Sequence, residues 1–450
     1  MQTQSAQLLL AERAVPRYTS YPTAPHFNGT VNAAVARRWL TELPPASSLS
    51  LYLHVPFCSA ICSYCGCHTK AARKREPLDQ YTSTLAREIE LLAAATTARK
   101  IRYLHWGGGT PSLLGPANLR RIARHLRDCF DLEHLDEHAI ELDPRSVSRE
   151  LIDALVAMGV TRASLGVQDV NAHVQEAIGR IQPEAVVERA VRLLRENGIA
   201  AINLDLMYGL PCQSIEDVRR TCDFATSMSP ARLTMFGYAH VPWMKAHQRL
   251  IDSAALPDAT ARLEQAAVAR SVIEASGYES VGLDHFARPE DAMAIAAIDG
   301  TLRRSFQGYT VDNADALLPL GASSIGKLPQ GYVQNAPDVG GWRRAVDGGE
   351  LAVIRGIGFS AEDHLRAAVI ERLMCDFTVD YAALSKALVG DETALDDAAA
   401  ELDALAEQQI LTHSRRTVRM TQAGRPFVRL AAAAFDAYLC RAVARHSVAV

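Results

Sequence analysis

Four cysteines fall within ten residues, in His54-Val-Pro-Phe-Cys58-Ser-Ala-Ile-Cys62-Ser-Tyr-Cys65-Gly-Cys67, and the other five of the nine are scattered. An odd total with one tight cluster is not a disulfide framework. Reduced thiols packed this closely are metal or redox ligands more often than packing residues. Offsets of four and three let the Cys58, Cys62 and Cys65 thiolates converge from a loop on one face of a 4Fe-4S cubane, whose irons require soft ligands. Zinc is the rival, but a structural zinc normally closes its tetrahedron with a second, distant pair of ligands. No second pair stands out, although Cys67 and His68 could complete a local site, so spacing alone leaves zinc open. Three ligands on a four-iron cube leave one iron vacant for a small chelating molecule that can receive an electron. Cys67 then reads as a local packing thiol.

A second set of residues could grip such a molecule. Gly107, Gly108 and Gly109, followed by Thr110, let backbone groups approach a ligand closely, although a glycine-rich turn can equally be only a tight connection. Glu141, Gln168 and Asp205 are polar residues in apolar runs. A buried carboxylate is costly unless paired or hydrogen-bonded, so each is a candidate for holding ammonium, ribose or sulfonium groups, with barrel-core hydrogen bonding as the plain alternative.

These residues recur at the ends of predicted strands. Short β-branched or aromatic runs at 51–55, 101–106, 139–143, 162–167, 202–208 and 233–238 alternate with helical patterns. Among the helices are 183–197, with Pro183 in its first turn and Gly198 as a stop, and 215–228, opened by Ser214 and Asp217 in capping-box spacing. Six β-α units in series predict an α/β fold with a parallel sheet and right-handed crossovers, whose ligands bind at the carboxyl ends of the strands. Before them, residues 1–45 hold five prolines and the segment Arg17-Tyr-Thr-Ser-Tyr-Pro22, which predicts an extended arm and not a continuous helix. The catalytic domain is predicted over 46–345. After Gly348-Gly349, a mostly α-helical C-terminal domain is predicted over 346–450, with helices at 361–375 and 394–408 and a hairpin turning at Arg415-Arg416. Helices followed by a small hairpin resemble a winged helix. A packing domain that closes one end of the barrel is the favoured reading, because basic residues are not concentrated there.

With 450 residues, 48% of them apolar and 22% charged, the chain can bury a full core. A net charge of -4 gives no argument for nucleic acid or an anionic membrane as partner. No run approaches the ~20 apolar residues of a membrane span, and the first residues lack the pattern of a leader, so a cytoplasmic enzyme is expected.

The Cys58-x-x-x-Cys62-x-x-Cys65 spacing, with aromatic Tyr64 before the third cysteine, resembles the signature of radical S-adenosylmethionine enzymes. The resemblance extends over nearly the whole chain. Arg17 to Pro22, His54 to Cys67, Gly107 to Pro111, Gly166-Val-Gln-Asp169, Gly209-Leu-Pro211, Tyr238-Ala-His240, Asp284-His-Phe-Ala-Arg-Pro289, Phe306-Gln-Gly-Tyr309 and Gly321-Ala-Ser-Ser-Ile325 are similar to segments of the oxygen-independent coproporphyrinogen III oxidases. Ser305 departs from that family, which more often has Asn there. The resemblance implies a partial (β/α)6 TIM-like radical SAM barrel, with Cys58, Cys62 and Cys65 as cluster ligands. It places Tyr52, Tyr64, Gly108, Gly109, Thr110, Glu141, Gln168, Arg180, Asp205, Ala239 and Ile325 against two S-adenosylmethionine molecules bound side by side. His54 and Tyr309 are expected to face substrate. The implied reaction is oxidative decarboxylation of two propionates of coproporphyrinogen III to vinyl groups, giving protoporphyrinogen IX through a 5'-deoxyadenosyl radical. A flavodoxin- or ferredoxin-like donor would reduce the cluster of a monomeric enzyme. A haem chaperone of the same superfamily, and a zinc-stabilised binding protein with a winged-helix tail, are the competing readings.

Overall fold

In the computed structural model, which describes residues 10 and 12–439, alternating apolar runs become the parallel strands of one sheet. These are β1 (Ser48–Val55), β2 (Lys100–Gly108), β3 (Glu137–Leu142), β4 (Arg162–Gln168), β5 (Ala201–Tyr208) and β6 (Arg232–Gly237), adjacent in that order and joined by helices. The period of two decides which face each residue serves. In β4, Ala163, Leu165 and Val167 are buried, whereas Ser164, Gly166 and Gln168 are only half-buried; in β5, Ile202, Leu204 and Leu206 alternate in the same way with Asn203, Asp205 and Met207. The apolar set joins one continuous core with the surrounding helices, at roughly 1.5–3 kcal/mol for each fully buried large aliphatic side chain. The polar set is left on the inner face of a partial (β/α)6 barrel, the architecture expected from the sequence.

The helices form where local chemistry allows. Helix Ile215–Ser227 opens with both bonds of the Ser214/Asp217 capping box in place. Helix Glu184–Glu196 begins one residue after Pro183, which stands at the N-cap.

Short strands extend the sheet at both edges, to twelve strands in all among the described residues. Glu279–Val281 and His285–Ala287 add antiparallel beyond β6. On the other edge Ala316–Leu320 pairs parallel with β1, and Ile325–Leu328, Gly331–Asn335 and Val353–Gly358 follow antiparallel. Runs of three to six residues carry too few alternations for periodicity to register. A buried carboxylate, Glu88 in helix Arg75–Ala95, pins this edge by accepting from Gly321 N at 2.6 Å, Asn335 Nδ2 at 2.7 Å and Trp342 Nε1 at 2.9 Å.

In the C-terminal region, helix Ala361–Asp376 opens with a Ser360/Asp363 capping box. Strands Leu411–Ser414 and Thr417–Met420 form the predicted hairpin, with Arg415 and Arg416 both at positive φ. The predicted 394–408 helix starts later, at Ala399, after a short 3-10 turn. The arm belongs to this region's core: Leu10, Val15, Tyr18 and Tyr21 are buried in its apolar cluster, and the Tyr18 hydroxyl donates to Asp436 Oδ2 at 3.0 Å.

Candidate active site

A cavity of about 1580 Å³ opens at the carboxyl ends of the strands. The cysteine loop leaves β1 and returns beside itself, Phe57–Cys58 pairing in parallel with Lys70–Ala71. Cys58, Cys62 and Cys65 all line the cavity. Cys58 Sγ accepts from Thr69 Oγ1 at 3.4 Å and from Thr110 Oγ1 at 3.5 Å, while Arg180 Nη1 donates to Cys62 Sγ at 3.6 Å. A hydrogen bond from Cys67, aided by the charges of His247 and Lys245, draws the Cys65 thiol down to about 6 against its burial, and the Cys67 thiol is pushed up in turn. Burial pushes the Cys58 thiol up. The segment after β6 clamps the loop from outside, through His247 Nε2 to Cys65 O at 2.6 Å, Lys245 Nζ to Cys67 O at 2.9 Å and Gln248 Nε2 to Tyr64 O at 2.9 Å.

The glycine turn at the end of β2 lies directly behind this loop. Gly109 N donates to Val55 O at 2.8 Å, and a Cβ on Gly109 would stand 2.5 Å from Phe57 O. Gly108 takes φ +111, and a Cβ there would meet the His54 ring at 2.7 Å. Neither position accepts a side chain without displacing the cysteine loop or His54. Gly108 N also donates to Glu141 Oε2 at 3.1 Å, and Glu141 Oε1 lies 3.2 Å from His105 Nε2. Asp205, raised by burial, accepts from Ser164 Oγ at 2.7 Å and Asn203 Nδ2 at 2.8 Å. Arg180 is not a surface arginine: it is 8% exposed, donates to Gly166 O at 2.7 Å and stands 3.5 Å from Asp143 Oδ2.

Every residue expected against S-adenosylmethionine therefore lines one cavity with the three cysteines; Tyr52, Tyr64, Gln168, Ala239 and Ile325 complete the set. His54 lines it too, with both ring nitrogens engaged. Its Nε2 donates to His68 O at 3.0 Å, so Nδ1 accepts from Tyr52 OH at 3.1 Å, and burial lowers its pKa toward a neutral ring. Tyr309 is different. It is 3% exposed and does not line the cavity; its hydroxyl donates to Met374 O at 2.7 Å and accepts from Leu283 N at 3.2 Å. Hydrogen bonds inside the fold saturate the group that was expected to face substrate.

Several cavity residues escaped the sequence reading. Asp284, whose carboxylate lies 2.7 Å from His285 Nδ1, and Arg17 fall in family-like segments that suggest no role for them, whereas Lys245, Arg262 and Arg429 carry no pattern. Three cavity-facing thiols, two accepting hydrogen bonds and a third drawn toward the thiolate, fit the soft ligation of a 4Fe-4S cluster. Among the described residues no three His, Cys, Asp or Glu side chains gather closely enough for a single ion.

Residues 52–225 match the Radical SAM superfamily and residues 359–427 match the HemN C-terminal domain. Partial barrel, cysteine loop and glycine turn thus define a radical SAM enzyme, a class whose members use a 4Fe-4S cluster and S-adenosylmethionine. The chain is 43% identical to the oxygen-independent coproporphyrinogen III oxidase of Bradyrhizobium diazoefficiens over 98% of both chains, and 37% identical to that of Escherichia coli over 94% of this chain and 93% of the other. The solved Escherichia coli coproporphyrinogen III oxidase (HemN), described as a radical SAM enzyme, superposes with a TM-score of 0.89 at 34% identity, covering 95% of this chain and all of that one. This chain belongs to the oxygen-independent coproporphyrinogen III oxidase family.

Proposed function

We propose that this chain oxidatively decarboxylates two propionates of coproporphyrinogen III to vinyl groups, forming protoporphyrinogen IX in haem biosynthesis. The observation that carries this reading is the opening of the Cys58–Cys65 loop, the glycine turn and the polar strand ends onto one large cavity. Family membership favours it over the haem-chaperone and zinc-protein readings. Each conversion removes one hydrogen atom, one electron and carbon dioxide from a propionate. The β C–H bond is not acidic, so no side chain tuned near neutral pH could remove it as a proton at a useful rate. When bound, the cluster and S-adenosylmethionine supply hydrogen-atom abstraction instead.

The chain's own residues bind, orient and exclude water. Cys58, Cys62 and Cys65 would hold the cluster, with Arg180 and Thr110 steadying two of the thiolates. Glu141 and the Gly108–Thr110 turn offer an acceptor and close backbone approach for the methionine ammonium. Arg180 offers a carboxylate partner, and Asp205 an acceptor for ribose. Two S-adenosylmethionine molecules share this pocket, with Tyr52, Tyr64, Gln168, Ala239 and Ile325 along its walls. His54, neutral and held by Tyr52, keeps the turn and the loop in register beside the substrate. Lys70, Arg73 and Lys74 stand in solvent beside the Cys58 strand and would receive a low-potential flavodoxin- or ferredoxin-like donor of acidic surface, whose electron the bound cluster would take. The enzyme acts as a monomer in the cytoplasm; the eight described cysteines, all free thiols, suit a reducing compartment.

The test is anaerobic incubation of reconstituted protein with coproporphyrinogen III, dithionite and S-adenosylmethionine. Divinyl product is expected; deoxyadenosine released without vinyl product would overturn the reading.

A further inference from the structure

The cavity has a second chemical wall that the radical machinery does not use. Arg17 comes from the arm, Arg262 from helix Ala259–Ala275, Arg304 from strand Arg303–Ser305, and Arg429 from helix Val428–Ala433; all four line the cavity. They are close neighbours. Arg17 Nη2 donates to Gly237 O at 3.2 Å at the end of β6, and Arg262 Nη2 would lie 3.3 Å from a Cβ on the same glycine. Arg304 Nη2 donates to Arg17 O at 3.2 Å, and Arg429 Nε donates to Pro16 O at 3.0 Å.

Among the described residues, the guanidinium partners of Arg17, Arg262 and Arg304 are neutral. Arg17 and Arg304 meet backbone carbonyls, Arg262 donates to Tyr238 O at 3.0 Å, Arg304 covers the Tyr309 ring at 4.4 Å, and Arg262 lies 5.8 Å from the Tyr208 ring centre. Among the described residues none of Arg17, Arg262 and Arg304 has a carboxylate within ion-pair distance. Arg304 Nη1 and Arg262 Nε are buried without any hydrogen-bond partner. Burial and the charges of Arg17 and Arg304 push Arg429 down to about 9, and burial and Arg17 also lower Arg262. Asp284 faces Arg304 and Arg17. Burial opposes its charge, yet the His285 hydrogen bond and the charges of His285, Arg304 and Arg17 hold its carboxyl at about 2. Its carboxylate is bonded to His285 and, among the described residues, forms no ion pair with Arg17, Arg262 or Arg304. Unpaired guanidinium groups in a partly dehydrated wall are costly, and an anionic ligand removes that cost.

We infer that Arg17, Arg262 and Arg304 form a carboxylate-binding site that holds propionates of the tetrapyrrole which the reaction leaves intact. The inference rests on the proposed function and adds to it which wall reads the substrate. Two of the four propionates must approach the radical machinery and lose carbon dioxide; the other two keep their charge throughout and can stay anchored. Guanidinium forks match carboxylates in geometry and remain charged at any working pH. The site stands past the end of β6, whereas the cysteine loop follows β1, at the other end of the six-strand series. A substrate held here presents its remaining side chains to the cysteine and glycine wall.

The test measures binding of coproporphyrin III, the stable oxidised macrocycle, by fluorescence, beside its tetramethyl ester, which has the same shape without the charges. Wild-type protein is expected to bind the tetra-acid at least 100-fold more tightly than the ester. Arg17→Gln and Arg262→Gln are each expected to weaken acid binding at least 10-fold while leaving ester binding unchanged, and Arg17→Lys to recover part of the loss. Equal binding of acid and ester by wild-type protein would overturn the inference without any variant being needed, as would variants that fold and keep the full preference. Anaerobic turnover of wild-type protein is run alongside: acid-selective binding without vinyl product would sink the proposed function and leave the arginine site standing.

Discussion

The two walls of the cavity are assembled in opposite ways. On the cysteine side many contacts are short in sequence: Thr69 reaches Cys58 across 11 residues, Tyr52 reaches His54 across two, and Gly108 reaches Glu141 across 33, while Arg180 and His247 reach the loop across 118 and 182. On the arginine side the contacts of the arm are longer still: Arg17 meets Gly237 across 220 residues, Arg429 meets Pro16 across 413, and Tyr18 meets Asp436 across 418. The first wall is built from strand ends and the loops that leave them, so each βα unit brings its own chemistry. The second exists only where the arm, the separate two-stranded hairpin of Arg303–Ser305 and Gly308–Thr310, and the C-terminal region meet the barrel. Radical generation and substrate holding are therefore separable, and substitutions should divide along that line.

The sharpest break is Cys62→Ser. A hydroxyl is a hard, weakly acidic substitute for a thiolate, so cluster and turnover should both vanish, read as loss of bound iron and of the 4Fe-4S absorbance in anaerobic material. Full activity would remove Cys62 from the ligands. Glu141→Ala should spare the cluster but raise the S-adenosylmethionine requirement about 10- to 100-fold, the scale of losing one charged hydrogen bond. Unchanged cosubstrate binding would take Glu141 out of the site.

Outside both walls, Glu88 offers a stability control. Burial pushes its carboxyl up to about 7 from an ordinary 4.5, against hydrogen bonds from Gly321, Trp342 and Asn335. The folded chain then holds this proton over a range where the unfolded chain has released it. Its contribution is complete below pH 4.5 and is lost as pH rises through 7, on the order of 3 kcal/mol in all. Urea unfolding at pH 5 and pH 8 should show this fall, and Glu88→Gln should flatten it; an unchanged pH slope would locate the effect elsewhere.

The smallest effect sharpens the comparison most. Tyr18→Phe removes the buried bond to Asp436 and should cost about 1–3 kcal/mol, because an acceptor is left unsatisfied. It should loosen the arm that carries Arg17, weakening coproporphyrin III binding while S-adenosylmethionine cleavage continues. Parallel loss of both functions would show that the walls are coupled.

Much of the cysteine wall was legible before any coordinates. Ligand spacing, a glycine turn after a strand and polar residues at strand ends are local patterns with local physical causes. Tyr309 shows the limit of such reading: its segment was readable, but only packing shows that Met374 and Leu283 consume its hydroxyl. The edge strands were missed because three to six residues carry too little alternation, and the clamp of Lys245, His247 and Gln248 has no motif.

By itself, the order of residues determined six β-α units, the close spacing of the thiols after the first strand and the placement of polar groups at strand ends, since each follows from a repeat of two, a repeat of 3.6 or a fixed short spacing. Only the tertiary structure decided that arginines from four distant segments share one wall of the cavity. Charge crowding of that kind depends on distances through space, and no spacing along the chain encodes them.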